Sequence, residues 1–321
     1  SGIGLPTQRE REPVTGQKQS WSQRVRIPMV IYLVSLGAYL GTSAGHLRKH
    51  SNDNHYVYLA HSLLNGRLAI QGSPPHQNDW ALVTEIELRD GRKLRGTFLK
   101  TGGPNRFKTT RGVRLTLEPS QIRRRTHRYY VSFPWFPALL MIPFVAIWGL
   151  KFNDVIFTAA LAAFNPVLVF LVLQRLKALK LSDRTLVEHL WLVALFAFGT
   201  VHYFISVVGQ VWFTAHVVGV ALTALYVLAA LEARHPLWAG LFLGLGFVTR
   251  TPIPFSVALL VGEVLRRNLG PPRAEPAAAA PPHPPPPRAR IPERAPPGAG
   301  GGSSRTRGRG GVPGGLGAAR G

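Results

Sequence analysis

Few ionisable residues stand in or beside the long apolar stretches of this chain, and those few are where chemistry could occur. Arg250, in V-T-R-T-P, closes an apolar run. An ionisable side chain at membrane depth is a functional hypothesis by default, and a planar guanidinium fork suits a phosphate group. The competing reading of Arg250 is a long side chain that snorkels to the headgroups. Asp53 lies in S-N-D-N-H-Y, just past the first apolar run. Asn52 and Asp53 are both good N-caps for the short helix expected from the spacing of Tyr56, Leu59, Leu63 and Leu64. His55 either orients Asp53 or is a solvated histidine, and Tyr56 is expected to pack under the loop. His202 and His216, near the ends of two apolar runs joined at Gly209, either line a site or belong to the core.

The elements that must position these residues are apolar helices. A hydrocarbon core of about 30 Å needs roughly 20 apolar residues of helix. Runs of that kind occur at Ile27–Gly45, Val155–Leu173, Val187–Val208, Val211–Leu231 and, less cleanly, Leu237–Leu265. A sixth, Val131–Leu150, carries Pro134, Pro137 and Pro143. A chain of 321 residues, 46% of them hydrophobic, is too small to hide such runs in a soluble core. The expected fold class is an all-α multi-pass membrane protein. Cysteine is absent, which excludes disulfides and Cys-based metal sites. The first run follows a polar segment and has no A-x-A cleavage site, so it reads as a retained anchor. The net charge of +23 fits the Lys/Arg-rich loops of a membrane protein. Taken alone it is weak evidence for nucleic acid, which is not an expected partner.

Charge also orients the spans, because short loops rich in Lys and Arg stay cytoplasmic. Arg24 and Arg26 put the N-terminus inside, and His46 then emerges outside. If Val131–Leu150 crosses, the Arg175–Arg184 loop and Arg234 both fall outside, against the rule. If it lies on or dips into the outer face, both fall inside. Three prolines also suit an interfacial segment better than a regular span. Arg266 and Arg267 lie outside if the last run crosses once, and inside if it turns back near Arg250-Thr251-Pro252.

Between the first run and this segment the pattern changes to strand. Leu82, Thr84, Ile86 and Leu88 alternate with Val83, Glu85, Glu87 and Arg89. Asp90-Gly91 is a strong hairpin signal. Leu94, Gly96 and Phe98 continue the alternation, and Arg111-Gly112 marks a turn before Val113, Leu115 and Leu117. The expectation is a small SH3-like or Sm-like barrel of four or five strands, closed by Arg123-Arg124-Arg125 against anionic headgroups. The chain thus divides into a disordered cytoplasmic lead (1–26), a first transmembrane helix (27–45), an external loop with Asp53 (46–78), the β insert (79–126), an interfacial Pro-aromatic segment (127–153), a helical bundle (154–268) and a tail (269–321). The tail is nearly all Pro, Ala, Gly and Arg. It reads as a GC-rich sequence out of frame, or as a Pro-rich linker or basic lipid-binding tail. In each case disorder is expected.

Three groups of residues, in order, carry a family resemblance: Asp53 in N-D-N-H-Y, the segment S-F-P-W-F-P-A-L-L, and A-G-L-F-L-G-L-G-F-V-T-R-T-P at Ala239–Pro252. Over residues 25–268 the chain resembles the N-terminal half of a GT-C glycosyltransferase, the superfamily of protein O-mannosyltransferases and aminoarabinose transferases. The resemblance implies an enzyme of a bacterial cytoplasmic membrane that moves a sugar from a polyprenyl-phosphate donor to an acceptor at the outer face. It implies Asp53 as general base or acceptor-positioning group, provided it comes within hydrogen-bond reach of the proton it takes. Arg250 would hold the lipid phosphate, with His55, Tyr56 and His202 as further substrate-binding candidates. The family often has a second acid at the turn between the paired spans, where this chain has Gln210, and Asn54 stands where an acidic neighbour of Asp53 would be. No tightly held metal is therefore expected, and a divalent metal is left open. Expected partners are the lipid-linked donor, membrane lipids and an unspecified lipid, glycan or protein acceptor. The alternative is a truncated, non-catalytic membrane scaffold that presents the β insert to envelope polymers.

Overall fold

The structure is a computed structural model and describes residues 21–76 and 78–269. The lead before Trp21 and the tail from Gly270 onward, both expected to be disordered, lie outside the described residues. Helix α1 (Trp21–Thr42) begins inside the expected lead. Helices α4 (Asp154–Ala162) and α5 (Phe164–Ala178) form one apolar length, and α6 (Leu186–Phe198) with α7 (Val201–Val208) another. Helix α8 (Val211–Ala230) packs among them and buries eleven of its residues. Three helical lengths, Val25–Thr42, Asp154–Ala178 and Val211–Ala233, are long and apolar enough to cross a membrane. The α6–α7 pair makes a fourth if its 52° bend is counted within one span. The bend has a local cause. The α6 helix ends at Gly199, and Thr200 restarts the chain as an N-cap whose hydroxyl accepts from the His202 amide.

Buried polar contacts fix the helix register. The Tyr39 hydroxyl donates to the Ala197 carbonyl, and the Ser43 hydroxyl to that of Val207. Thr158 meets Thr214 at 2.7 Å, and the Asn165 amide donates to the Val217 carbonyl. These contacts give the bundle two ends. At one, α1 and α7 finish while α4 and α8 begin, next to Asp53, whose carbonyl accepts from the Val211 amide at 3.1 Å. At the other, the Arg175 guanidinium at the foot of α5 donates to Glu232 at 2.6 Å.

The fifth apolar run is not one helix. Helix α9 (Pro236–Phe247) leaves the Arg175 end and stops after 12 residues, about 18 Å of rise. The chain turns at Arg250-Thr251-Pro252 and descends through a 3-10 turn into α10 (Val257–Leu269). The return is pinned: the Tyr226 hydroxyl donates to the Ser256 carbonyl at 2.7 Å, and the Glu232 amide donates to Glu263 at 2.7 Å. Arg266 and Arg267 therefore lie at the Arg175 end. The turn suits its residues, since Gly246 lies so close to Ile253 that a Cβ there would fall 2.6 Å from Ile253 Cγ2.

The sixth run is shorter than its sequence suggested. Val131 is the last residue of a strand, and α3 covers only Phe136–Trp148. Its 13 residues rise about 20 Å, too little to cross. It packs on the short helix α2 (His55–Leu64) through Tyr56, Val57, Ala60, Ala138 and Met141. Past α3, the Asn153 side chain donates to the Leu47 carbonyl, just beyond α1. Helix α3 therefore caps the Asp53 end.

The insert is an antiparallel sheet of β1 (Trp80–Leu88), β2 (Lys93–Phe98), β3 (Arg106–Thr109), β4 (Arg114–Thr116) and β5 (Ile122–Val131), in the order β4-β3-β2-β1-β5. The alternation works as read: Thr84, Ile86 and Leu88 face inward with Phe107 and Leu117. Among the described residues no ladder joins β4 to β5, so where a barrel was expected the hydrogen bonding is that of an open sheet. Its last strand runs five residues past the expected boundary at 126, and the three consecutive arginines lie within it. Val113, expected in a strand, is exposed and lies just before β4.

Candidate functional site

The Asp53 loop is held from three sides. Its carbonyl caps the start of α8, and its side chain is nearly buried, 9% exposed. Asn78 Nδ2 donates to Asp53 Oδ1 at 3.0 Å, and His76 Nε2 stands 3.7 Å from the same oxygen. His76 also bonds the Asn52 carbonyl. Among the described residues Oδ2 receives no hydrogen bond. One carboxylate oxygen is thus fixed and the other is open to a proton or a hydroxyl, which is what a general base requires. Asp53 is not a helix cap: the N-cap of α2 is Asn54, two residues before the expected pattern resumes, and its side chain makes no capping bond.

His55 is not solvated. It is fully buried, stacked on Trp80 with ring centroids 4.1 Å apart. Its Nε2 donates to the Asn78 carbonyl at 3.0 Å, so it holds the loop that holds Asp53 and does not bond the carboxylate itself. The reason for its burial is the sheet: β1 begins at Trp80, and that ring closes over α2.

A second acid stands at the Asp53 end, at a position other than Gln210 or Asn54. Asp154, first residue of α4, is buried at the Asp53 end. Ser51 donates to it twice, from the amide to Oδ1 at 2.7 Å and from the hydroxyl to Oδ2 at 2.5 Å. Asp154 therefore ties the segment bearing Asp53 to the bundle. Its signal was a lone carboxylate heading a long uncharged run, next to Asn153, whose side chain caps α4. Among the described residues no three His, Cys, Asp or Glu side chains converge as metal ligands would.

Arg250 lines a cavity of about 480 Å³ between α5, α8 and the α9–α10 turn. The walls are apolar, with Val169, Val172, Val220 and Val227 among them, while His216, Thr223 and Arg250 supply the polar part. From His216 to Val227 the cavity follows α8 for about 16 Å. Asp53 is not among its lining residues. What lies toward Asp53 is Tyr56. Its ring is buried in the α2–α3 core, and its hydroxyl has no hydrogen-bond partner among the described residues. Burial pushes the phenol pKa up, and the Arg250 charge opposes that shift. Tyr56 thus does pack under the loop, and its polar end lies within the electrostatic reach of Arg250.

His202 is a core residue. It stacks on Phe196 at 4.6 Å, bonds the Ala162 carbonyl and lies apart from both groups. His216, by contrast, faces the Arg250 cavity. The structure thus forms two neighbouring polar centres: Asp53 with His76 and Asn78, and Arg250 with His216. Helix α8 joins them, since His216 lies five residues, or about 7.5 Å, beyond Val211. His76 and Asn78 went unnoticed in the sequence because they sit in an aperiodic Pro-Pro loop with no spacing relation to Asp53. Comparison with family models, with curated proteins and with solved structures finds no match to this chain.

Proposed function

We propose that the chain is a multi-pass membrane glycosyltransferase that takes a sugar from a polyprenyl-phosphate donor. The observation that carries this reading is the cavity at Arg250. It combines an apolar channel along α8 with one guanidinium and one imidazole at its polar part, the pattern an acyl or prenyl chain ending in phosphate would fill. Asp53, with its free carboxylate oxygen, lies toward the start of the same helix. In the reaction, an acceptor hydroxyl loses its proton to Asp53 Oδ2 and its oxygen bonds the anomeric carbon. The bond from that carbon to the phosphate oxygen breaks, and the departing phosphate keeps the electron pair beside Arg250. Positive charge fixed at a leaving phosphate favours the transition state over the ground state. His76 would orient Asp53, and Tyr56 would meet the sugar between the two centres. The proposed setting is a bacterial cytoplasmic membrane, with the Asp53 end external and the Arg175 end cytoplasmic.

The test is sugar transfer from a lipid-linked donor by purified protein in lipid. Asp53→Asn and Arg250→Ala should each lower turnover by about a hundredfold or more, with insertion and thermal melting unchanged. Variants that match the parent, or a parent that transfers nothing across a panel of polyprenyl-phosphate sugars, would sink the catalytic reading. The second result would favour a non-catalytic membrane scaffold instead.

A further inference from the structure

We propose that the solvent face of the β sheet is a binding surface for a linear anionic polysaccharide, separate from the centres at Asp53 and Arg250. Residues 80–131 hold thirteen Lys and Arg against four Asp and Glu. The register shows where the excess goes. On β1 the outward residues include Glu85 and Glu87. Glu87 is flanked by Lys93 on β2 and Arg124 on β5. Farther across the sheet, Lys108 on β3 is paired in register with Arg114 on β4. The carboxylates are already satisfied: Arg95 and Arg128 both reach Glu85, at 2.8 and 3.0 Å, and Arg123 reaches Glu87 at 3.1 Å. Lys93, Arg124, Lys108 and Arg114 are exposed and, among the described residues, have no carboxylate partner. A depression of about 350 Å³ lies beside the first pair, between Glu85, Glu87 and Arg128. Neighbouring strands are about 4.8 Å apart, so the four free cations spread over some 19 Å across five strands, in two rows: Lys93 and Arg124 level with Glu87, and Lys108 and Arg114 level with Val83, four residues or about 13 Å along the strands. Uncompensated charge repeated over such a width suits a polymer better than a single small anion.

Three observations choose the polymer. The Lys93–Arg124 row lies seven residues, or about 23 Å, along β1 from Trp80, where the sheet meets α2. That exceeds two Debye lengths at physiological salt, which argues against the lipid headgroups at that junction as the ligand of this row; the Lys108–Arg114 row lies nearer the junction, level with Val83 and about 10 Å from Trp80. The face also lacks the rings on which nucleic-acid bases stack. Tyr130, at the α2 end, is the only aromatic side chain on it among the described residues. Thr126 stands between the two rows and Thr116 beside Arg114, and their hydroxyls suit a hydroxyl-rich chain. Carboxylates spaced along a polysaccharide match all three conditions.

The test uses the full chain in zwitterionic nanodiscs and a fluorescent polygalacturonate oligomer, with anisotropy as the readout. Binding should weaken steadily as salt rises. The pairs Lys93→Glu with Arg124→Glu, and Lys108→Glu with Arg114→Glu, should each weaken it about tenfold or more, whereas Lys151→Gln, outside the sheet, should not. Where a Glu pair disturbs the sheet by hydrogen exchange, the Gln pairs at the same positions give the reading, with smaller losses expected. The proposal fails if the charge variants bind like the parent or if the oligomer does not bind. It fails equally if an oligothymidine of equal charge, or phosphatidylglycerol vesicles, bind more tightly. Sugar transfer plays no part in the readout, so this result and that of the transferase test stand apart.

Discussion

At the scale of single residues the informative atoms are polar groups that lack partners. Among the described residues the Tyr56 hydroxyl is enclosed and has no hydrogen-bond partner, a state that costs free energy unless something else supplies one. In the proposed reaction the lipid-linked donor would supply that partner. Tyr56→Phe should leave thermal stability unchanged or raise it by about 1 kcal/mol, while raising the KM for the lipid-linked donor. Calorimetry with donor titration measures both. A clear loss of stability would mean that the hydroxyl has a structural partner and no ligand role. Asp53 differs in kind. Its Oδ1 is fixed by Asn78 while Oδ2 is open, so Asn78→Ala should cost turnover by misplacing the carboxylate, with donor KM little changed. A fall in donor affinity instead would assign Asn78 to binding.

At the scale of elements, packing decides which sequence signals survive. The β1 alternation was legible because period two is a local property and both faces of the strand keep it. The Asp90-Gly91 turn was legible for the same reason. Arg92 donates to Asp90 from its amide at 2.9 Å and from Nε at 2.7 Å, which hold the Asp90 carboxyl below the usual carboxylate range. A depressed folded value stabilises the turn above the ordinary Asp range near 3.9, and that contribution fades as pH falls through the lower folded value. Protection of the Arg92 amide, measured against its intrinsic exchange rate, should therefore fall as the pH drops below the ordinary Asp range of about 4, while the Ile86 amide stays protected. Other features were not local. His55 is buried only because Trp80 arrives from the sheet, and Asp154 meets Ser51 across about a hundred residues of chain. Gly96 shows the same dependence on distant partners. A Cβ there would lie 2.1 Å from the Lys108 carbonyl oxygen, so β2 and β3 approach too closely for any side chain. Gly96→Ala should cost the sheet about 3 kcal/mol. Loss of exchange protection confined to residues 80–131, with the helices intact, is the expected signature. Unchanged protection would refute the close approach.

At the scale of the whole molecule, the question is which end of the bundle faces which compartment and whether the last apolar run returns. The bundle separates its charged loops: Arg175, Glu232, Glu263 and Arg266 link at one end through contacts of 2.6 and 2.7 Å, while Asp53 and the β sheet stand at the other. In the positive-inside reading the Arg175 end is cytoplasmic, and the 3-10 descent after Arg250 brings Arg267 back to it. The chain contains no cysteine, so single cysteines report without background. Cysteine at Ser182 and at Arg267 should stay hidden from a membrane-impermeant maleimide in intact cells and react after lysis. Cysteine at Arg92, in the tip of the sheet's first hairpin, should react from outside. A single crossing by the last run would instead expose Arg267 together with Arg92. Exposure of Ser182 would be more serious, because it would invert the bundle, put the Asp53 end in the cytoplasm and require a donor sugar on the opposite leaflet. The three positions together thus decide the hairpin and the compartment of the proposed chemistry independently.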